Sequence, residues 1–599
     1  MKIGVAFSDH IKTEKLKKRH QGSTASFHVR GIAIACFIGF GSLLLLITLV
    51  RLQVLNGRYY RVLADSNRTR TTILYAPRGI LMDRNNTPLV FNTPGFRKIE
   101  KEKSVIISRE QALEQIAKSV PAGRQGDKSL QVDSLRQYPY KEAFAHVLGY
   151  IGQISKEQLN EKDYEGYALT DFVGKTGIEQ QYESTLKGVN GKKLVEIDAT
   201  GKPLRTLGET DPIPGQDVLL TLDARLQTTA YEAMKDVQKG AVIAATPDGQ
   251  ILAMVSKPSY DTNLFTLSSD YRASSSGYQS VTEILSDEDK QPLLDRAISG
   301  TYPPGSTFKL VTAAAGLENK IIDRFFTVED TGVVRVGTFS FANWFYLEQG
   351  RTDGVVDVVK GIARSNDIFF YKLAEKVGVD KLSFMGEKFG LGARLGIDLL
   401  GEAQGVLPTR EWKKKEIGES WYLGDTYHYG IGQGYLLTTP LQVNSWTQTI
   451  ANGGSLYKPR LVKSSKSEVR SAKFLSENTI SLIRQGMVES CSPGGVAYPL
   501  FNFRIKNSEL RIDNKNILPV SKASESASLK DYRQITVACK TGTAQHGGDE
   551  TLPHAWITLF APAYDPEIVV TVLAESSGQG STVASPIAKE ILKAWFESQ

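Results

Sequence analysis

A chain of 599 residues is longer than one hydrophobic core organises, so two or more domains are expected. Its 41% hydrophobic and 23% charged residues are ordinary for globular protein and exclude wholesale disorder. The net charge of +7, from 72 basic and 65 acidic residues, is too small a surplus at this length to suggest a nucleic-acid binder. Three cysteines are too few for a disulfide framework. Cys36 falls in an apolar run; Cys491 and Cys539 are expected as free thiols, with a bridge between them the alternative.

Residues 31–50 carry no charge. About 20 apolar residues at a rise of about 1.5 Å span a bilayer core. Lys12, Lys15, Lys17, Lys18, Arg19 and Arg30 precede this run, a bias that puts the N-terminus in the cytoplasm and everything after Arg51 outside. A cleaved signal peptide is disfavoured, because Leu52-Gln53-Val54-Leu55 is no small-residue cleavage site. No comparable run follows, so the expectation is a tail over residues 1–30 and a single transmembrane helix over 31–51. An enzyme outside the membrane normally lacks ATP, which disfavours phosphoryl transfer.

Residues 52–214 mix short β-like runs with polar turns and read as an elongated pedestal. Within it, residues 77–86 read as turn, strand and turn, residues 111–120 as a helix and residues 123–134 as a polar loop. The pattern changes near Gly215. Residues 218–222 predict a strand, and Asp223 predicts an N-cap for a helix reaching Val237. Residues 241–245 and 251–256 predict a hairpin turning at Asp248-Gly249. Strands are expected near 535–539, 556–560 and 568–573, then a helix over 586–596. Terminal strands enclosing a helical middle imply an α+β domain over residues 215–599, one antiparallel sheet with helices on both faces plus a helical subdomain. The Ser-rich stretches 268–290 and 507–531 read as loops.

Three segments carry chemistry if the fold unites them. In Tyr302-Pro303-Pro304-Gly305-Ser306-Thr307-Phe308-Lys309 a Pro-Gly turn opens an Ala-rich helix. Ser306 then sits in its first turn with Lys309 one turn on, on the same face. A serine is a nucleophile only if a base takes its proton, and a nearby amine of lowered pKa does so. The second segment, Ser365-Asn366-Asp367, offers a hydroxyl to relay that proton. The third, Lys540-Thr541-Gly542-Thr543, ends an alternating strand. An edge strand there pairs with an extended peptide, Gly542 admits its backbone, Thr541 or Thr543 binds a terminal carboxylate, and the Thr543 N–H completes an oxyanion hole. Ser184–Lys187, Ser455–Lys458 and Lys175-Thr176-Gly177 repeat parts of the pattern without its local context. Ser-x-x-Lys, Ser-x-(Asn/Asp) and Lys-Thr-Gly in this order are a signature of penicillin-binding proteins and serine β-lactamases.

With Leu407-Pro408-Thr409-Arg410-Glu411-Trp412, Gly430–Tyr435 and His554-Ala555-Trp556, these stretches resemble class B penicillin-binding proteins, specifically the elongation type. The resemblance implies a peptidoglycan D,D-transpeptidase. A stem peptide ending in D-Ala-D-Ala acylates Ser306 and loses its terminal D-Ala, an amine of a second stem resolves the acyl-enzyme, and β-lactams acylate the same serine. It implies Lys309, Ser365, Asp367 and Lys540 as the other catalytic residues and Thr541, Gly542 and Thr543 as substrate-binding. Asp367 stands where most of the wider superfamily has Asn, which suits the elongation type. Residues 343–360 contain no His or Cys, so no zinc is expected, nor any cofactor. Expected partners are the membrane, a RodA-like SEDS glycosyltransferase and elongation-complex proteins. The competing reading is a membrane-bound serine β-lactamase or β-lactam sensor; no glutamate stands out to position a deacylating water, and a hydrolase has no use for a pedestal. His146, His428, His546 and His554 pair with nothing at ligand spacing, although His546 and His554 flank the loop after Lys540.

Overall fold

The computed structural model describes residues 25–100, 103–119, 130–198, 203–267, 270–273, 277–464, 466–506, 532–547 and 551–598. The chain divides into two compact units, Met1–Ile73 with Lys192–Thr210, and Leu74–Gly191 with Asp211–Gln599. In the first, helix Ala25–Val50 continues through Arg51–Leu55 into helix Gly57–Arg68. Val29–Leu55 is long and apolar enough to cross a membrane, and its side chains, Phe37 and Leu45 among them, are exposed rather than packed on protein. Thr69–Leu74, Gly191–Ile197 and Pro203–Thr210 form a three-stranded sheet. Glu196 binds Arg68 and Arg205 across it, at 2.8 and 2.7 Å.

The second unit begins with a sheet in the order Val218–Leu219, Leu81–Met82, Pro88–Glu100 and Lys103–Ile107, with Leu130–Gln137 also paired to Pro88–Glu100. Two expectations change here. Residues 130–134 are strand and not loop, with Gly95 opposite Asp133; residues 123–129 of that expected loop lie outside the described residues. Asp133, within that polar stretch, is buried in an ion pair with Arg97, and Arg136, further along the same strand, is buried on Glu179. The strand expected over 218–222 is only Val218–Leu219, parallel to Leu81–Met82. The expected helix over 111–120 is Arg109–Ser119. Buried Leu81, Val90, Phe144, Leu148, Leu220, Ile243 and Leu441 form one apolar cluster, so this sheet shares its core with the C-terminal part of the same unit.

Helix α1 (Ala224–Ala233) is capped by Asp223, whose carboxylate accepts Leu226 N–H at 2.9 Å; it stops before Val237. Strands β1 (Gly240–Ala245) and β2 (Ile251–Lys257) make the expected hairpin, Gly249 supplying a positive φ of 92° at the turn. The helical middle comprises α2 (Lys309–Glu318), α3 (Val358–Ala363), α4 (Asp367–Val377), α5 (Pro440–Ala451) and α6 (Glu477–Ser490). Strands β3 (Ala538–Ala544), β4 (His554–Ala561) and β5 (Ile568–Ala574) and helix α7 (Ala584–Phe596) close the domain. The antiparallel sheet runs β2-β1-β5-β4-β3 with β3 at its edge. Residues 535–537 are not strand; β3 starts three residues later than expected. The Ser-rich stretch 268–290 is not all loop, since Val281–Ser286 is a helix capped by Ser280, with Ile284 buried. The stretch 507–531 lies outside the described residues.

Alternation along β5 explains the layering. Val569 and Leu573 enter the core shared with α2 to α6, while Ile568, Val570, Val572 and Ala574 enter the core under α1 and α7. α5 crosses the sheet behind a complete capping box, Thr439 Oγ1 accepting Gln442 N–H and Gln442 Oε1 accepting Thr439 N–H, with Pro440 in its first turn. A buried polar ladder, Thr447 to Thr558 to Thr571, ties α5 to β4 and β5 at 2.7 and 2.9 Å.

Candidate active site

The chemistry-bearing segments meet between β3 and the first turns of α2 and α4. Pro303-Pro304-Gly305 turns the chain, with Gly305 at φ 53° and its N–H donated to Gly432 O at 2.9 Å. Gly305–Phe308 is a 3₁₀ turn that runs into α2. Ser306 lies on that turn, half-buried, at the amino end of the helix. The turn rests on β3: a Cβ at Gly305 would lie 3.1 Å from Thr543 O, and one at Gly542 would lie 3.1 Å from Pro304 O and from Thr307 Cγ2. Trp556 on β4 supports it from below, donating Nε1–H to Pro303 O at 3.1 Å.

One turn on, the Lys309 amine is fully buried. It donates to Asp367 Oδ1 at 2.7 Å, Ser365 O at 2.7 Å and Ser365 Oγ at 3.3 Å. Lys540, also fully buried, reaches the same hydroxyl from β3 at 2.8 Å and donates to Thr541 O at 2.9 Å. Two amines from opposite walls thus flank one serine oxygen. Burial holds the Lys309 amine below the usual lysine range, with the Asp367 carboxylate opposing that shift. Burial first and the charge of Lys309 second push Lys540 well below the same range. Both shifts run toward the uncharged amine, and the Asp367 carboxylate opposes this more directly at Lys309, which it touches.

Ser365 sits at φ 54°, a left-handed conformation that a side chain adopts only when its surroundings enforce it. Asn366 enforces it. Its Oδ1 caps α4 at Phe369 N–H, 2.9 Å, while its amide donates to Asp330 Oδ2 at 2.8 Å and Asp353 Oδ2 at 3.0 Å. Asn343 also donates to Asp330, at 2.8 Å, and its Oδ1 accepts Asp367 N–H at 3.2 Å. Trp344 N–H donates to Asp367 Oδ2 at 2.9 Å, fixing the carboxylate that faces Lys309. Sequence reasoning missed Asp330, Asn343 and Asp353, which lie up to 36 residues before Asn366 and form no motif. It also missed Glu575, whose Oε1 accepts Tyr302 O–H at 2.6 Å and Arg296 Nε–H at 2.7 Å, tying the Ser306 turn to the end of β5.

Gly542 faces Trp556, and Ala544 faces His554, across the β3–β4 ladder. Thr541 is buried and Thr543 exposed. His546 and His554 stack with ring centroids 3.8 Å apart, His546 following β3 and His554 opening the adjacent antiparallel β4. Among the described residues no group of three or more His, Cys, Asp or Glu side chains gathers to hold a metal. The triplet Lys175-Thr176-Gly177 follows the short strand Phe172–Gly174, where Lys175 binds Gln158 and Thr176 heads the short helix Gly177–Gln181. The expected free thiols are absent: Cys491 and Cys539 form a disulfide, with Cα atoms 5.9 Å apart. Forty-eight residues separate them, so only the packing of α6 on β3 makes them neighbours.

Residues 240–593 match the family model "Penicillin binding protein transpeptidase domain", and residues 114–220 match "Penicillin-binding Protein dimerisation domain". The Haemophilus influenzae protein named peptidoglycan D,D-transpeptidase MrdA is 32% identical over 603 residues, covering 90% of this chain and 87% of that protein. The Helicobacter pylori penicillin-binding protein PBP2, solved in complex with MreC, superposes with a TM-score of 0.71 at 27% identity, over 88% of this chain and 99% of that one. A chain from a structure described as "Structural coordination of polymerization and crosslinking by a peptidoglycan synthase complex" superposes with a TM-score of 0.68 at 27% identity, over 95% of this chain and 99% of that one. With the transpeptidase model spanning more than half the sequence and the Ser306, Ser365 and Lys540 segments facing one another, the chain belongs to the class B penicillin-binding proteins of the PBP2 type.

Proposed function

We propose that this chain cross-links peptidoglycan stem peptides through an acyl-enzyme on Ser306. It is a peptidoglycan D,D-transpeptidase of cell-wall synthesis, and the observation that carries the residue assignment is the convergence of the Lys309 and Lys540 amines on the Ser365 hydroxyl at 3.3 and 2.8 Å. In this reading Lys540 is the uncharged amine of the pair, and Lys309 sheds its proton to it through Ser365. It then takes the proton of Ser306 as that oxygen attacks the penultimate D-Ala carbonyl. The oxyanion meets the backbone N–H groups of Ser306 and Thr543. Collapse breaks the peptide C–N bond, and Ser365 passes a proton to the departing D-Ala amine. A second stem's amine then attacks the ester and regenerates the Ser306 hydroxyl. Asp367 steadies Lys309, the edge of β3 receives the donor peptide alongside Gly542, and Thr543 or Thr541 binds its carboxylate. β-Lactams enter the same path and stop at the ester.

The basic residues before Val29 favour an anchor with its N-terminus in the cytoplasm and the catalytic domain outside. In this reading residues 1–30 are the tail, 31–51 the anchor, 52–214 the pedestal and 215–599 the transpeptidase domain. The likeness to a chain solved with MreC and to one from a synthase complex supports work within an elongation complex. The finer assignment is a RodA-like SEDS polymerase as the direct partner. Intact mass after penicillin exposure, with peptide mapping, tests the chemistry. The adduct is expected on the peptide carrying Ser306 and absent in Ser306→Ala; an undiminished adduct in that variant excludes Ser306.

A further inference from the structure

We propose that the Cys491–Cys539 disulfide is a positioning tie that holds the Lys540 amine against the Ser365 hydroxyl; the inference rests on the catalytic reading above. Among the described residues β3 is an edge strand, bonded to β4 on one side only, and the acyl donor needs the other side free. Nothing in the sheet therefore restrains β3 on its substrate side. Cys539 immediately precedes Lys540 and is fully buried; its partner Cys491 is the C-cap of α6 and is also buried. The turn that begins at Cys491 reaches the second motif as well. Gly494 O accepts the Arg364 guanidinium at 3.0 Å, and Arg364 immediately precedes Ser365. α6 is seated on α3 with Gly486 against Ile362, where a Cβ would come within 2.7 Å of Ile362 Cβ.

A short circuit results: Lys540, Cys539, Cys491, Gly494, Arg364, Ser365. It closes on the 2.8 Å contact between the Lys540 amine and the Ser365 hydroxyl. The tie has a force to oppose. A buried amine with no carboxylate at bonding distance gains hydration if its strand lifts toward water, and burial already holds this amine well below its usual range. A hydrogen-bonded edge frays under that pull, while a covalent link from the strand to a packed helix does not. The exported side of the membrane, where the catalytic reading puts this domain, is a compartment in which disulfides persist.

The test uses full-length protein in detergent and a fluorescent penicillin. Pre-binding and acylation are separated by varying penicillin concentration, and each is followed from pH 5 to 10. Cys491→Ala/Cys539→Ala is expected to slow the acylation step at least tenfold, to change pre-binding by less than threefold, and to move the acid limb of the rate profile to higher pH as Lys540 becomes hydrated. Ile591→Ala, on α7 in the apolar core that also holds both cysteines, leaves the covalent link intact and controls for lost stability; it is expected to lower the melting temperature yet keep acylation within twofold. Should the double variant not fold, wild type is reduced with dithiothreitol. The disulfide takes two electrons and two protons and becomes two thiols, and dithiothreitol closes to its own disulfide; intact mass verifies the change. Acylation should then fall and return on reoxidation. Wild-type rate and pH limb in the bridgeless protein overturn the tie, as does a loss no larger than that of Ile591→Ala. Failure of the catalytic reading looks different: wild type itself would not label on Ser306.

Discussion

His146 and His554 give the fold a measurable acid limb. His146 belongs to the short helix Ala145–Leu148, is buried, and binds Pro292 O through Nε2 at 2.7 Å, edge-on to Tyr260. Burial, chiefly, lowers its pKa from 6.5 to about 4. His554, buried and stacked on His546, is lowered to about 4 for the same leading reason. Between 6.5 and 4 the unfolded chain binds each proton and the folded chain does not, so stability falls as pH falls. From pH 6.5 to 4.5, at up to about 1.36 kcal/mol per unit, each histidine removes about 2 kcal/mol. Buried Asp295 opposes them: desolvation raises it from 3.8 to about 6, so the folded chain binds its proton first and gains about 2 kcal/mol over the same interval. The expected net loss from these three groups is about 2 kcal/mol. His146→Gln keeps an N–H for Pro292 O and cannot titrate, so its loss from these groups should shrink to about 0.5 kcal/mol. Urea unfolding of both proteins at pH 7 and pH 4.5 measures this. An unchanged difference between the two pH values would refute the assignment of the acid limb to His146.

Other substitutions read the active site more directly. Gly542→Ala places a Cβ 3.0 Å from Trp556 Cβ and 3.1 Å from Pro304 O, so the Ser306 turn must shift; acylation by fluorescent penicillin should slow about 100-fold with little change in melting temperature. Lys540→Met should abolish labelling and raise the melting temperature, because it removes a buried amine whose lowered pKa costs stability at neutral pH. The wild-type gain in stability on raising pH from neutral toward the usual lysine range should shrink with it, since over that window the unfolded chain holds a proton that folded Lys540 lacks. Asn366→Ser keeps a cap for α4 but loses both amide bonds, to Asp330 and Asp353; it should cost about 3 kcal/mol in urea unfolding and slow acylation, while Asn366→Ala should cost about 1 kcal/mol more.

The features that the sequence disclosed were those fixed over a few residues. Pro303-Pro304-Gly305 before an Ala-rich run marks a turn into a helix whatever surrounds it, and Asp223 caps α1 through its own third neighbour. The order of the three motifs carried the domain type, because the chemistry requires those groups at those local offsets. The hairpin at Asp248-Gly249 and the apolar alternation of β5 were legible on the same ground.

The features that stayed hidden share one physical cause. Periodicity reports how side chains divide between water and oil, and it misreads a polar group whose partner is another buried polar group. Residues 130–134 were read as loop because the stretch 123–134 is polar, yet Asp133 is buried on Arg97, and Arg136, further along the same strand, is buried on Glu179. β3 appeared to end where it begins, because Lys540, Thr541 and Thr543 break the apolar run that was read as its body. Asp330, Asn343, Asp353 and Asn366 satisfy one another and hold Ser365 in its left-handed conformation, and no stretch of sequence announces them. Cys491 and Cys539 looked unpaired because the helix that unites them belongs to the tertiary structure. The same pairing that conceals these groups shapes the candidate site: a hydroxyl held between two amines and a carboxylate fixed by backbone N–H both require burial among polar partners. A segment whose polar residues defeat the periodicity of an otherwise regular element is therefore a better pointer to this kind of active site than any of its apolar neighbours.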